Sequence, residues 1–313
     1  MATVLCVVGP TATGKTKMGV ALAKRFNGEV VSVDSMQLYR GMAIGTAAPV
    51  PEEMAGIPHH MVGVADPAES WSAARYVQAA DACVTDILRR GKLPVLVGGT
   101  GLYLDALIRG TDFAAGTQGT EIRQALQCRA REEGSESLLE ELRRIDPQAA
   151  EKLHPRDEKR IIRALEVWQE TGRTITEHDA AERRQPPKYQ ALYIGLDFEN
   201  RQDLRDRIDA RVDAMVAQGL LEEVTHLLES GLPRDATALQ AIGYKQFFAV
   251  AEGRASVEEA IEEVKLRSRQ YAKRQLTWLR RNPDIFWVRW QRDPNFPEGL
   301  QNATEYLRSR GLC

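Results

Sequence analysis

No apolar run in this chain approaches the ~20 residues a membrane-spanning helix needs, so no helical membrane span is expected. Cysteine is scarce and scattered. Cys6, Cys83, Cys128 and Cys313 form no CxxC pair and have no histidine nearby at metal-ligand spacing, which argues for reduced thiols over a zinc site or disulfides. Internal repeats and low-complexity tracts are missing. Thr3 to Gly9 leads directly into a glycine-rich turn, so no signal peptide is expected and a cytoplasmic location follows. Neither sign of charge is in excess: 42 Lys and Arg against 44 Asp and Glu leave a net charge of −2, which argues against a generic, strongly basic nucleic-acid binder. What remains is an ordinary globular composition, 43% hydrophobic and 27% charged, over 313 residues. Single cores stop growing at about 250–300 residues, so the length favours one large domain with an insertion, or two domains.

Val4 to Val8 is a short apolar run ending at Gly9-Pro10, the pattern of a strand buried on both faces of a parallel sheet. Lys15 to Phe26 has helical spacing and Asn27-Gly28 closes it. Val30 to Val33 predicts a second strand, Tyr76 to Arg90 a helix, and Leu93 to Val97 a third strand ending in Gly98-Gly99-Thr100-Gly101. Further strands are expected at Leu192–Phe198 and Ile285–Trp290. Alternating strands and helices imply an α/β fold, a parallel sheet flanked by helices. From Glu121 to about Arg184 the pattern is polar and helical, between Gly116-Thr117-Gln118-Gly119 and Gln185-Pro186-Pro187-Lys188, which read as linkers. The expected organisation is a core of residues 1–115 and 190–313 carrying an all-helical insertion, 116–189.

Gly9-Pro10-Thr11-Ala12-Thr13-Gly14-Lys15-Thr16 matches GxxxxGK[ST], with a strand before it and a helix after it. Glycines let backbone N–H groups curl around a phosphate and the helix N-terminus adds a positive dipole. Lys15 supplies a mobile charge and the Thr16 hydroxyl is placed for Mg²⁺. The motif says only that a di- or triphosphate binds, so a small-molecule or nucleotide kinase, or an RNA-binding module switched by nucleotide, stays open. Asp34 ends the second strand, at the carboxyl edge where open α/β sheets bind ligands. It could hold Mg²⁺, accept a proton, or simply form an Asx turn. Gln37 could read a base edge. His59-His60, in a loop beside Pro58, is given no role, since adjacent histidines point different ways.

Lys265 to Arg281 holds seven positive charges and no acid. Tyr271 and Trp278 share one helical face with Val264 and read as core residues. Arg156, Lys159, Arg160 and Arg163 follow i, i+3, i+4, i+7 and form a second positive stripe. Two such stripes on a phosphate-binding core suggest a phosphorylated small molecule and a nucleic acid on one enzyme.

These residues resemble the bacterial tRNA dimethylallyltransferase (tRNA isopentenyltransferase) family. The resemblance rests on GPTATGKT at Gly9–Thr16, DSMQLYR at Asp34–Arg40, IGTAAP at Ile44–Pro49 and HHMVGVADP at His59–Pro67. It continues, in order, with PVLVGGTGLY at Pro94–Tyr103, KRIIRALEV at Lys159–Val167, QAIGYK at Gln240–Lys245 and SRQYAKRQLTWLRR at Ser268–Arg281. Ala48 stands where the family's GTAKP lysine is expected, and Leu279 where Phe is frequent. No zinc-finger extension of the eukaryotic kind occurs up to Cys313, as in the bacterial branch. The resemblance implies a P-loop NTPase-like fold and transfer of a dimethylallyl group from dimethylallyl diphosphate to N6 of adenosine 37 in tRNA. It implies that Gly9, Thr11, Ala12, Thr13, Gly14, Lys15 and Thr16 hold the diphosphate with Mg²⁺ on Thr16, and that Arg211 adds a second contact. Asp34 would take the proton, Thr100 would position diphosphate or amine, and Lys15 would stabilise the leaving group. Contacts to the tRNA anticodon stem-loop would come from Asp34, Ser35, Met36, Gln37 and Thr100, from Arg123, Lys159, Arg160 and Arg163, and from Lys273, Arg274, Arg280 and Arg281. A monomer without membrane contact is expected.

Overall fold

A computed structural model describes residues 1–111, 113 and 121–313. Among the described residues, six strands form one sheet. They are β1 (Ala2–Val8), β2 (Gly28–Val33), β3 (His59–His60), β4 (Leu93–Gly98), β5 (Tyr189–Phe198) and β6 (Ile285–Trp290), in the order β3-β2-β4-β1-β5-β6. Every neighbouring pair is parallel. Between the early strands lie α1 (Lys15–Arg25), α2 (Ala43–Thr46), α3 (Pro51–Met54) and α4 (Ala73–Arg89), with α5 (Gly101–Arg109) after β4. Then follow α6 (Glu121–Glu133), α7 (Ser135–Ile145), α8 (Pro147–Ala150), α9 (Glu158–Thr171) and α10 (Ile175–Arg184). After β5 come α11 (Arg201–Ala217), α12 (Leu220–Glu229), α13 (Phe248–Ala251), α14 (Val257–Leu279) and, after β6, α15 (Phe296–Ser309). No described helix is long and apolar enough to cross a membrane.

The chain divides into two units, Met1–Ile108 with Tyr189–Cys313, and Arg109–Lys188. The second unit thus begins at Arg109 and ends at Lys188, against the expected span 116–189. The linker expected at Gly116–Gly119 lies outside the described residues.

In the first unit the apolar strands are buried because a parallel sheet needs helices on both faces. Val4, Leu5, Cys6 and Val7 have no exposed surface. Leu5 and Val7 share a core with Val95, Val97, Met18 and Leu22, joined by Ala272 and Leu276 of α14 and Leu307 of α15. Successive strand residues alternate faces, so Cys6 and Leu96 point the other way. There α4 lies against β2 and β4. Its Tyr76 hydroxyl donates to the Ser32 carbonyl at 2.8 Å and its ring stacks on Tyr103 at 4.2 Å.

Several boundaries differ from the sequence expectation for local reasons. Helix α4 starts at Ala73 because Ser72 caps it, accepting from the Arg75 N–H. Asn27, left-handed at φ 49°, makes the turn after α1. Gly28 already belongs to β2, where a Cβ would lie 2.6 Å from the Leu93 carbonyl oxygen. His59-His60 is not loop but the short edge strand β3, paired with Val30 and Val31. His60 Nε2 lies 2.8 Å from the buried Glu29 carboxylate, which also accepts from Arg90 and Lys92. The Arg90 guanidinium above all holds the Glu29 carboxyl well below the usual range. The cysteines are free, and no cluster among the described residues could hold a metal through His, Cys, Asp and Glu.

The second unit packs Leu126 of α6, Leu138, Leu139 and Leu142 of α7 and Ile161, Ile162 and Leu165 of α9 into its own core. Gly172, at φ 68°, ends α9, and the Thr174–Glu177 capping box starts α10. The positive stripe expected here is thinner than its spacing suggests. Arg156 precedes α9 instead of lying on it. Arg163 Nη1 donates to the fully buried Glu166 at 3.1 Å, and Arg123 Nε to the same carboxylate at 2.9 Å. A buried carboxylate demands such partners, so these two arginines, expected to face RNA, neutralise the unit's interior. Lys159 and Arg160 stay exposed.

Candidate functional site

The turn between β1 and α1 is shaped by close approach and left-handed backbone. A Cβ on Gly9 would sit 2.6 Å from the Leu196 carbonyl oxygen of β5, so only glycine fits. Ala12 (φ 67°) and Gly14 (φ 84°) are left-handed, and Gly14 caps α1 with no side-chain acceptor on its first N–H groups. That combination makes an anion-binding concavity. Thr13 Oγ1 donates to the Pro10 carbonyl at 2.9 Å, and Trp290 Nε1 of β6 donates to the Thr13 carbonyl at 3.0 Å, so the loop is held from beneath. Lys15 Nζ donates to the Pro10 carbonyl at 2.7 Å. Burial, then the neighbouring Arg211 charge, pushes the Lys15 ammonium down to about 7, with Asp34 opposing. One loop residue departs from expectation: the Thr11 N–H donates to Gln275 Oε1 of α14 at 3.0 Å. That donor is turned away from any anion in the loop, although Thr11 still lines the pocket.

At the end of β2, Asp34 Oδ1 accepts from the N–H of Met36 at 2.9 Å and of Gln37 at 3.4 Å, an Asx turn. Its second oxygen takes no hydrogen bond among the described residues. One carboxylate therefore fills the structural role and leaves an acceptor for chemistry. The Ser35 N–H donates to Thr100 Oγ1 at 3.2 Å, tying this turn to the one after β4. Each glycine of that turn is crowded. A Cβ on Gly98 would be 2.0 Å from the Val33 carbonyl oxygen, on Gly99 2.2 Å from Gln275 Nε2, and on Gly101 2.3 Å from the Trp278 ring. Gln37 is a correction. Its Oε1 accepts from Ser32 Oγ at 2.8 Å and its Nε2 donates to the Ala47 carbonyl at 3.2 Å and the Thr46 carbonyl at 3.4 Å. The amide thus holds the 46–47 loop, and Gln37 is not among the residues lining the pocket described below.

The turns after β1 and β2 border a cavity of about 370 Å³. Thr11, Asp34, Ser35, Met36, Arg211, Tyr271 and Arg274 line one side, and Ile208, Val212, Met215, Val264 and Ile242 give it apolar wall. Burial lowers the Arg211 guanidinium from its usual range, with Asp34 and Glu53 opposing. Tyr271 is a second correction. It does share a face with the buried Val264, but Tyr271 itself is half-buried and lines the pocket. Burial first, then the Asp34 charge, pushes its phenol up to about 12, eased by hydrogen bonding with Thr100 and Gln275 and by Arg274. Trp278, on the same side of the helix, packs over Gly101.

The far wall comes from Gly45, Thr46 and the 240–245 segment. Glu223 of α12 holds it: its carboxylate accepts from the N–H of Ile44 and Gly45, each at 2.9 Å, and from the Tyr244 hydroxyl at 2.6 Å. Gln275, Tyr271 and Glu223 were all missed in the sequence. Tyr271 and Gln275 had a usable signal, since Val264, Ser268, Tyr271 and Gln275 are spaced as one helical surface that is polar yet flanked by apolar residues. Glu223 had none.

The basic run on α14 also reads differently in three dimensions. Lys265 pairs with Asp213 at 2.8 Å, Arg267 with Glu263 at 2.7 Å, Arg269 with Asp209 at 2.6 Å and Arg280 with Asp197 at 3.2 Å. Neighbouring elements and the first half of α14 supply the acids the run itself lacks. Arg280 is thus engaged, while the exposed Lys273, Arg274 and Arg281 pair with no carboxylate among the described residues.

With this geometry in place, similarity to known proteins is informative. The family model described as IPP transferase matches residues 37–282, and one described as isopentenyl transferase matches residues 2–62. A tRNA dimethylallyltransferase of Thermoanaerobacter sp. (strain X514) is 44% identical over 308 residues, spanning 98% of both chains. One from Halalkalibacterium halodurans is 47% identical over 283 residues, 90% of each. The crystal structure of a full-length tRNA isopentenylpyrophosphate transferase from Bacillus halodurans superposes with a TM-score of 0.74 at 41% identity, covering 99% of this chain and 96% of that one. A eukaryotic dimethylallyltransferase, captured acting on tRNA, gives a TM-score of 0.83 at 28% identity over 100% of this chain and 81% of its own. By a family model spanning most of its length and by relatives matched end to end, the chain belongs to the IPP transferase family.

Proposed function

We propose that this enzyme transfers a dimethylallyl group from dimethylallyl diphosphate to N6 of adenosine 37 of tRNA, releasing diphosphate. The observation that carries the reading is one pocket in which Thr11 of the phosphate-type loop, Arg211 and an Asp34 carboxylate oxygen free of protein donors meet beside an apolar wall, with Lys15 close enough to feel both the Arg211 and the Asp34 charge. The N–H groups at the start of α1, with Lys15 and Arg211, oppose the charge that grows on the diphosphate as the allylic C–O bond breaks. Adenine N6 is a poor nucleophile because its lone pair is delocalised. As it bonds to the allylic carbon, its proton passes to the free oxygen of Asp34. Thr100 and Ser35 keep that carboxylate's turn in place. The Thr16 hydroxyl is a hard oxygen donor at the loop and suits Mg²⁺, which takes one or two protein ligands besides phosphate oxygens and water. When bound, Mg²⁺ would add positive charge at the leaving group.

The base must leave its stack to reach such a pocket, which costs least in a single-stranded loop. Lys273, Arg274 and Arg281 on the first unit, and Lys159 and Arg160 on the second, are the cations offered to the anticodon stem-loop. The test is mass spectrometry of nucleosides from unmodified tRNA incubated with enzyme, Mg²⁺ and dimethylallyl diphosphate. The reading expects N6-dimethylallyladenosine at position 37. A chain that consumes ATP to phosphorylate an acceptor and leaves adenosine unaltered refutes it.

A further inference from the structure

Gln275 sits on α14 with 7% of its surface exposed, and both ends of its amide are used. Oε1 accepts from the Thr11 N–H at 3.0 Å, in the turn after β1. Nε2 donates to the Gly99 carbonyl at 3.1 Å, in the turn after β4. These strands are neighbours whose register runs up to Val8 opposite Gly98. Beyond that pair the ladder has ended, and the amide joins the two chains again from above. The space for it is reserved: a Cβ on Gly99 would fall 2.2 Å from Nε2. Thr100, next in the chain to Gly99, receives the Ser35 N–H beside Asp34. Hydrogen bonds and the Gly99–Thr100 peptide thus link the phosphate-type loop, through Gln275 of α14, to the Asp34 turn. The next residue towards the start of α14 is the exposed Arg274, which borders the pocket.

We propose that Gln275 is a positioning residue: a two-ended strut that sets the distance between the loop holding the leaving group and the carboxylate that takes the proton. The inference rests on the transferase reading. An amide is the group that serves, because one end must accept and the other donate. A carboxylate would keep the contact to Thr11 but set an acceptor against the Gly99 carbonyl. A leucine would leave the Thr11 N–H and the Gly99 carbonyl both without their partner. Misplacement of reacting groups by about 1 Å can cost on the order of 10²-fold in rate while leaving binding intact.

The experiment compares Gln275→Glu, Gln275→Leu and Gly99→Ala with wild type in single-turnover transfer at saturating dimethylallyl diphosphate and tRNA. Binding of inorganic diphosphate and of tRNA is measured in parallel. The strut requires about 10²-fold slower transfer in each variant, with both dissociation constants within about threefold of wild type. Gly99→Ala and Gln275→Leu must not add when combined, since the contact that Gly99→Ala disturbs is one of the two that Gln275→Leu already removes. The Glu variant supplies a readout that general loosening would not move. Once protonated, its carboxyl can again donate to Gly99 while accepting from Thr11. Its rate relative to wild type at the same pH must therefore rise as pH falls from 8 to 5.5, whereas the Leu ratio stays flat. Taking ratios removes the titration of groups the two proteins share, Lys15 and Tyr271 among them. Wild-type rates in folded Gln275→Glu and Gly99→Ala overturn the strut, as does a defect that appears wholly as weaker diphosphate or tRNA binding. Should Gln275→Leu not fold, the Glu and Gly99 variants decide alone. A wild-type protein that transfers nothing refutes the reaction itself and is distinct from all of these.

Discussion

Replacing Asp34 by asparagine separates the two jobs of its carboxylate. Oδ1 holds the Asx turn by accepting from Met36 and Gln37, and an asparagine Oδ1 can do the same. The cost to folding should then stay below about 1 kcal/mol, the scale of one neutral hydrogen bond. The second oxygen loses its charge and its capacity to accept a proton. Loss of a general base slows a reaction by roughly 10²–10⁴, equivalent to about 2.7–5.5 kcal/mol of barrier. The same charge opposes two forces in the pocket, since it raises the affinity of both Lys15 and Arg211 for their protons. Removing it leaves those cations facing an anionic donor with less competition, so diphosphate affinity should hold or improve. The expected signature is a kcat lower by 10²–10⁴, an unraised KM for dimethylallyl diphosphate and near-normal tRNA affinity. Rapid-quench transfer of labelled dimethylallyl to tRNA measures the first, and equilibrium binding the others. A single-turnover rate within about threefold of wild type would refute the argument, because no transition-state role would then remain.

Three further outcomes are expected. Lys15, held near pKa 7 by burial and Arg211, should take up a proton when inorganic diphosphate binds between about pH 7 and 10. Calorimetry in buffers of different ionisation heat should show less uptake for Lys15→Arg, whose guanidinium stays charged throughout. Equal uptake in the two proteins would place the titrating group elsewhere. Neutralising Lys273 and Arg274 together should flatten the logarithmic salt dependence of tRNA affinity by about 1.5 units; an unchanged slope returns them to a solvated surface. Glu29, depressed mainly by Arg90, contributes stability that is present above the ordinary glutamate pKa and lost as pH falls below it. Glu29→Gln should therefore cost about 1–3 kcal/mol at pH 7, discounted by the one-third exposure of Arg90 and Lys92. Its difference from wild type in urea unfolding should shrink below pH 4.5. A gap that is constant down to pH 3 would contradict the pairing.

Much of this could be read from the chain alone because the signals are local. The run Val4–Val8 with Gly9–Thr16 and a helix behind it specifies a strand, an anion loop and its dipole within 25 residues, and backbone sterics decide each step. Asp34 could be placed at a strand end for the same reason. The helical character of 121–184 followed from its period, and its exposed cations Lys159 and Arg160 from their spacing. The ordered motifs then pointed to a family, and the full-length relatives bear that out.

Partnership, by contrast, depends on groups far apart in sequence, and there the expectations failed. The Gln37 amide, expected at a base edge, has partners in Ser32 and the 46–47 carbonyls that its local pattern did not reveal. Arg123 and Arg163 looked like RNA contacts until Glu166 appeared in the interior between them. Arg280 and three other cations of α14 met carboxylates on α11, β5 or the first half of their own helix. Tyr271 read as core by its period, because spacing gives the face of a helix but not what the face meets. The sequence by itself determined five of the six described strands, the phosphate-type loop and the carboxylate at the strand end, each set by contacts within a few residues. Only the tertiary structure decided which charges remain free, which amides are already satisfied, and that Gln275, 264 residues from Thr11, closes the site. Buried polar groups must find partners wherever folding brings them, and that distance is not written in any local pattern.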